Sequence, residues 1–248
     1  MTAALTIDGL TVDFGGFKAV DGFSTVIHDG ELRVILGPNG AGKTTLMDLI
    51  SGKTPSTAGH IRLYGKDITA LPEHRIAREG VGRKFQIPSV FRDLTVRQNL
   101  NVAVSHEPGV FANLRLAMPA EDLQRIEEVI ELTQLGPVLE QLAGDLSHGQ
   151  MQWLELGMLI TQQAKVILLD EPTAGMTKAE TSKTAEIIQA LKGSHTILVV
   201  EHDMGFVRQI AERITVMHLG KLLAEGPMAK IETDPAVQEA YLGSGGIH

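Results

Sequence analysis

Two stretches of the chain are apolar almost throughout, KVILLD (165–170) and HTILVVEHD (195–203). Between them lies KAETSKTAEIIQALKG, whose apolar positions recur at helical spacing. Strand, helix, strand with unbroken apolar strands predicts a parallel sheet buried on both faces. The N-terminal text alternates instead. LTIDGLTVDF and FSTVIHDGELRVIL predict antiparallel strands with Asp-Gly turns at 8–9 and 29–30. GHIRLYGKDI is again strand-like, and RITVMHLGKLLAEG predicts a hairpin turning at Gly220. From about Leu94 to Gly144 the period becomes helical. EDLQRIEEVIELTQLG spaces Leu123, Ile126, Val129 and Ile130 along one face, and a second helix starts near Gly149 and carries MQWLELGMLI. Trp153 falls on that helix at helical spacing with Leu156 and Ile160, which predicts core packing. The pattern as a whole predicts one α/β domain over 1–248. Its parts are an N-terminal antiparallel subdomain, a parallel core sheet and a helical insert at about 94–160.

ELRVIL runs directly into GPNGAGKT, and KTTLMDLISG then reads as a helix stopped by Gly52. The segment matches G-x-x-x-x-G-K-[ST], in the strand-to-helix context that the motif requires. Gly37, Asn39, Gly40, Ala41 and Gly42 would present backbone N–H groups to phosphate oxygens, with Pro38, which has no N–H, shaping the loop and Thr45 beside them. The helix that follows adds roughly half a positive charge at its N-terminus. Lys43 would put a full charge on the β- and γ-phosphates of ATP, and the Thr44 hydroxyl could ligate Mg²⁺. The motif reads as a phosphate-binding P-loop.

The VILLD strand ends in Asp170 and Glu171. Acids at the C-terminal edge of a parallel sheet stand where ligands bind. Beside a P-loop, Asp170 is placed to hold Mg²⁺ and Glu171 to orient and deprotonate an attacking water. Taken singly, Gln86 reads as a surface amide, His202 as a strand-end histidine and Phe14 as core. Their order along the chain changes that. LSHGQ (146–150) resembles the LSGGQ signature of ATP-binding cassette ATPases, with Ser147, Gly149 and Gln150 at its matching positions. Gln86 in RKFQIPSVF resembles that family's Q-loop glutamine, a further contributor to the metal site. His202 in VVEHD resembles the switch histidine, and Phe14 the aromatic that stacks on adenine. The resemblance covers essentially all 248 residues.

RKFQIPSVFRDLTVRQNL, LSHGQMQWLELGMLI, DEPTAGMT and DPAVQEAYLG look in addition like the cassettes of branched-chain amino-acid and amide importers, with the nearest likeness to urea importers. The resemblance implies two cassettes sandwiching two ATP molecules head to tail, each site joining one chain's P-loop to the other's signature. The second cassette would be an identical chain or a paired paralogue. It also implies two transmembrane permease subunits, a periplasmic solute-binding protein acting indirectly, and a place on the cytoplasmic face of the inner membrane. Two positions depart from the family pattern. His148 stands at the signature's third position, and Thr177 replaces the D-loop aspartate of many relatives.

Composition narrows the rivals. A cassette acting on nucleic acid or ribosomes would usually carry tandem cassettes or long coiled coils. This chain has one P-loop in 248 residues and a net charge of −8, so no nucleic-acid partner is expected. A binding module that barely hydrolyses ATP is disfavoured by Glu171. There is no cysteine, which removes disulfide, thiolate and Cys-zinc chemistry. The start, MTAALTIDGL, has no signal-peptide pattern, and no apolar run approaches the roughly 20 residues that span a bilayer. Membrane attachment is therefore expected through a partner.

Overall fold

The computed structural model of the protein describes residues 2–84, 90–104 and 118–242. In chain order the elements are β1 (Ala3–Phe14), β2 (Phe17–His28), β3 (Leu32–Leu36), α1 (Lys43–Ile50), β4 (Ala58–Leu63), β5 (Lys66–Asp67), α2 (Glu73–Glu79) and β6 (Val81–Lys84). After them come α3 (Val96–Val104), α4 (Ala120–Thr133), α5 (His148–Thr161), β7 (Val166–Asp170), α6 (Lys178–Leu191), β8 (Thr196–Val200) and α7 (Met204–Ile210). The chain finishes with β9 (Arg213–His218), β10 (Lys221–Gly226), α8 (Met228–Thr233) and α9 (Pro235–Leu242).

The chain divides into two compact units. One comprises residues 1–83, 165–172 and 191–248, and the other 84–164 and 173–190. The first holds an antiparallel sheet ordered β2-β1-β4-β5 and a six-stranded sheet ordered β10-β9-β3-β8-β7-β6. In the larger sheet, β3 pairs in parallel with β8 and β9, β7 pairs in parallel with β8, and β9 meets β10 antiparallel. Every residue of β3, β7 and β8 is buried, as expected for strands covered on both faces. One apolar cluster runs from Leu5, Leu10 and Phe23 of the small sheet to Leu168, Leu198 and Val200 of the large one.

The Asp29-Gly30 turn and the hairpin at Gly220 fall where the sequence puts them. Asp8-Gly9 does not make a turn. β1 runs straight through it, with a register shift between Ile7 and Leu10 and Gly9 at φ 57°. A glycine in the left-handed region serves a bulge as well as a turn, so the dipeptide alone cannot separate them. The reversal lies at Gly15-Gly16 instead.

Arg33 breaks the apolar text of β3 and is nevertheless fully buried. Its guanidinium donates to Glu31 at 2.6 Å, Glu225 at 2.7 Å, Thr215 at 2.8 Å and the Val26 carbonyl at 3.1 Å. A buried cation persists only with such partners, and these tie β2, β9 and β10 to β3.

The second unit contains α3, α4, α5 and nearly all of α6. It is larger than the expected 94–160 because α6 joins it. The reason is visible at Trp153, which is buried as expected and donates its indole N–H to the Thr184 hydroxyl of α6 at 3.0 Å. Lys183 of α6 lies 3.8 Å from the centre of the same indole ring. A buried indole N–H needs an acceptor, and the sequence before β7 offers no hint that it comes from beyond β7.

Candidate active site

The glycine loop leaves the C-terminal end of β3 and turns into α1. Gly42 is the first helix cap, at φ 97°, and a Cβ there would lie 2.3 Å from the Ala19 carbonyl. Only glycine satisfies both the backbone angle and the close approach. A cavity of about 280 Å³ opens on this turn, lined by Phe17, Ala19, Asn39, Gly40, Ala41, Gly42, Lys43, Thr44, Thr45 and Glu171. That volume is near the lower end of small-ligand pockets. Gly37 and Pro38 play a different part: their carbonyls accept from Lys43 Nζ at 2.8 and 3.1 Å. Burial pushes the Lys43 ammonium down, while the charges of Glu171 and Asp170 push it back up.

β7 and β8 deliver the acids and the histidine. Asp170 is buried at the end of β7, and Arg83 is its nearest cation, with Nη2 at 3.7 Å. Arg83 is itself held by Asp48 at 2.5 Å and Ser51 at 2.9 Å, both on the α1 side. Burial pushes the Asp170 carboxyl up, and the Arg83 guanidinium opposes that shift. Both Asp170 oxygens are buried and lack a full-strength hydrogen bond, the Thr44 hydroxyl and the Arg83 guanidinium standing off from them. Such a carboxylate is suited to a hard, hydrated cation, and Mg²⁺ fits this donor type. Among the described residues there is no cluster of three or more His, Cys, Asp or Glu that would hold a metal without help from substrate and water.

Glu171 sits at φ 47°, a left-handed backbone rare for a residue with a side chain, and its N–H donates to the Val200 carbonyl at 2.9 Å. Strain of this kind gathers at functional positions. Here it turns the side chain from the sheet edge to the cavity. His202, just past β8, brings Nδ1 to 3.3 Å from Glu171 Oε1. The buried Glu201 carboxylate accepts from the His202 N–H at 3.0 Å and steadies that turn.

Seven of the expected phosphate-loop residues, Asn39 to Thr45, therefore line one cavity with Glu171, and His202 pairs with Glu171. Phe14 is not among the lining residues. It is 55% exposed, and its cross-strand partner Phe17, 66% exposed, lines the cavity instead. The sequence stretch FGGF offers two aromatics around a Gly-Gly turn, and only the turn's geometry chooses between them. Gln86 lies outside the described residues. The signature is seen by itself in the second unit. Ser147 caps α5 in a reciprocal capping box with Gln150: its hydroxyl accepts from the Gln150 N–H at 3.2 Å and its N–H donates to the Gln150 amide oxygen at 2.9 Å. His148, the departure, turns aside and places Nε2 2.9 Å from the Ala174 carbonyl.

A parallel sheet with a phosphate loop after β3, an acid pair after β7 and a histidine after β8 defines a P-loop ATPase. The comparisons narrow the class. The ABC transporter family matches residues 20–174, and the family described as "Branched-chain amino acid ATP-binding cassette transporter" matches residues 221–247. The chain belongs to the ABC transporter family and is an ABC-type ATPase. It is 36% identical over 248 residues to the high-affinity branched-chain amino acid transport ATP-binding protein BraF of Pseudomonas aeruginosa, covering 96% of this chain and 97% of that protein. It is 38% identical over 249 residues to the high-affinity branched-chain amino acid transport ATP-binding protein LivG of Salmonella typhimurium, with the same coverage. Among solved structures, the ADP conformation of an ATP-binding cassette of an ABC transporter matches with a TM-score of 0.84 and 29% identity, over 98% of this chain and 100% of that one. The likeness to urea importers expected from the sequence is not carried by these relatives, whose names speak of branched-chain amino acids.

Proposed function

We propose that the chain is the ATP-hydrolysing subunit of an importer for branched-chain amino acids. The observation that carries this reading is the family match over residues 221–247, where the branched-chain cassettes have their own C-terminal segment. The full-length relatives support it. Nothing in them favours nucleic acid, urea or short amides as the object of the work. Among the described residues no helix is long and apolar enough to cross a membrane. Force would reach the bilayer through two permease subunits, with a solute-binding protein feeding them and the cassettes on the cytoplasmic face. A second cassette, of this chain or a paralogue, would complete each site.

In this reading the loop amides of residues 39–45 and the Lys43 ammonium hold the ATP phosphates, and Phe17 offers its ring to the adenine. Mg²⁺, held by Thr44 and Asp170 with Gln86, would neutralise charge on the β- and γ-phosphates. Glu171 takes a proton from water as the water oxygen bonds to the γ-phosphorus. The bond to the β–γ bridging oxygen breaks, and ADP leaves with that electron pair. His202, paired to Glu171, steadies the carboxylate and faces the γ-phosphate. Ser147, Gly149 and Gln150 of the opposing chain close the site. Phe17→Ala is expected to weaken ATP binding by about tenfold, the scale of one aromatic stacking contact. Phe14→Ala is expected to change it less, as read by fluorescent-nucleotide titration.

The function is tested on the complex co-purified from detergent-solubilised membranes and rebuilt with its binding protein in vesicles. Leucine, isoleucine or valine is expected to raise ATP turnover and urea to leave it unchanged. Stimulation by urea alone would overturn the solute assignment.

A further inference from the structure

Glu180 belongs to the first turn of α6, yet its carboxylate lies on the signature. Thr177 is the reason. The Thr177 N–H and hydroxyl both donate to Glu180 Oε2 at 2.9 Å, and the Glu180 N–H donates back to the Thr177 hydroxyl at 3.3 Å. This is a capping box in which residue 177, the departure from the D-loop aspartate, fixes the acid three residues on. With Oε2 so held, Oε1 points at α5. It receives the Ser147 hydroxyl at 3.4 Å. It also packs on Gly149 so closely that a Cβ there would lie 2.4 Å away. The Thr177 N–H and hydroxyl, the Ser147 hydroxyl and the Gly149 N–H together hold the Glu180 carboxyl below the usual range.

Those last two donors are the ones the shared-site reading assigns to the γ-phosphate of a partner's ATP. A hydroxyl has one proton to give and a backbone amide one. They cannot serve a carboxylate and a phosphate at full strength together, and two anions on the same donors repel. We propose that Glu180 is a built-in stand-in for phosphate at the signature, which an opposing chain's ATP must displace before two cassettes can close. The proposal rests on the reading that Ser147 and Gly149 meet a partner's nucleotide. Glu180 then sets how much ATP is needed for closure without being part of the phosphate loop. Thr177 acts through Glu180, as its holder. An aspartate at 177 would keep the N–H contact but replace the hydroxyl donor with a second anion, so threonine is the residue type that steadies this acid.

The test uses full-length chain with Glu171→Gln, in which bound ATP persists, and follows dimer formation by light scattering as ATP is added. Glu180→Gln keeps the capping box, since glutamine serves at that position, and removes the charge. It is expected to lower the ATP concentration for half-maximal dimer on the order of tenfold, the scale of one charged hydrogen bond. The affinity of dilute monomer for ATP should stay unchanged. Thr177→Val, which loosens the acid without removing it, is expected to shift the midpoint the same way by less. An unchanged or raised midpoint in Glu180→Gln, with the parent dimerising normally, would overturn the proposal and leave the shared site standing. If the parent itself forms no dimer with ATP, the shared-site reading falls and this proposal falls with it.

Discussion

Replacing Glu171 by Gln is expected to lower ATP turnover by about 10²–10⁴-fold while leaving ATP binding intact. The substitution keeps the size of the side chain and its place on the strained backbone at φ 47°. It removes only the ability to take a proton. Because His202 Nδ1 stands 3.3 Å from Glu171 Oε1, the amide can still meet the imidazole, so the cavity keeps its form. Phosphate release in single-turnover experiments separates the chemical step from binding. Turnover at the wild-type rate would remove Glu171 as the base. A loss of nucleotide affinity equal to the loss of rate would show that its carboxylate binds rather than reacts.

Lys43→Ala is expected to abolish ATP binding at ordinary concentrations. Among the described residues Lys43 is the only cation lining the cavity, and it faces the negative charge of Glu171 and Asp170. Without it, an incoming triphosphate meets two acids with only loop amides to offset them. MgATP at a hundred times its dissociation constant stabilises a fold by about 2.7 kcal/mol. The wild-type melting temperature should therefore rise with MgATP and that of the variant should not. Equal shifts in both proteins would show that the loop backbone alone carries the affinity.

How much of this was legible in the sequence depended on how local each signal was. The phosphate loop is a contiguous motif between a strand and a helix, and residues 39–45 of it line one cavity. The apolar runs named β7 and β8 because a strand buried on both faces has no polar alternative. Arg33 was hidden by the same logic: one charge inside LRVIL reads as an outward face, and its partners Thr215 and Glu225 are more than 180 residues away. That Phe17 and not Phe14 lines the cavity depends on a tight turn, and side-chain pattern says nothing about which of two flanking rings faces in. Glu180 was missed for a different reason. Its capping role is readable from TKAE, but its contact with LSHGQ joins segments 33 residues apart with a strand between them. The family resemblance gave the order of the motifs. It could not show that Thr177 holds Glu180 against the signature.

In the large sheet β8 lies between β3 and β7, although it is the last of the three to be synthesised. The phosphate loop hangs from β3 and the acid pair from β7, so the two halves of the cavity share no hydrogen-bonded edge until residues 196–200 slide in between them. A growing chain therefore carries its glycine loop for some 150 residues before it can hold Asp170 in register with it. The parallel pairings that do this join distant segments, the kind of contact that forms late. Competence for nucleotide arrives near the end of synthesis, and a chain cut short before Thr196 has the phosphate loop and the acid pair but neither β8 to align them nor His202.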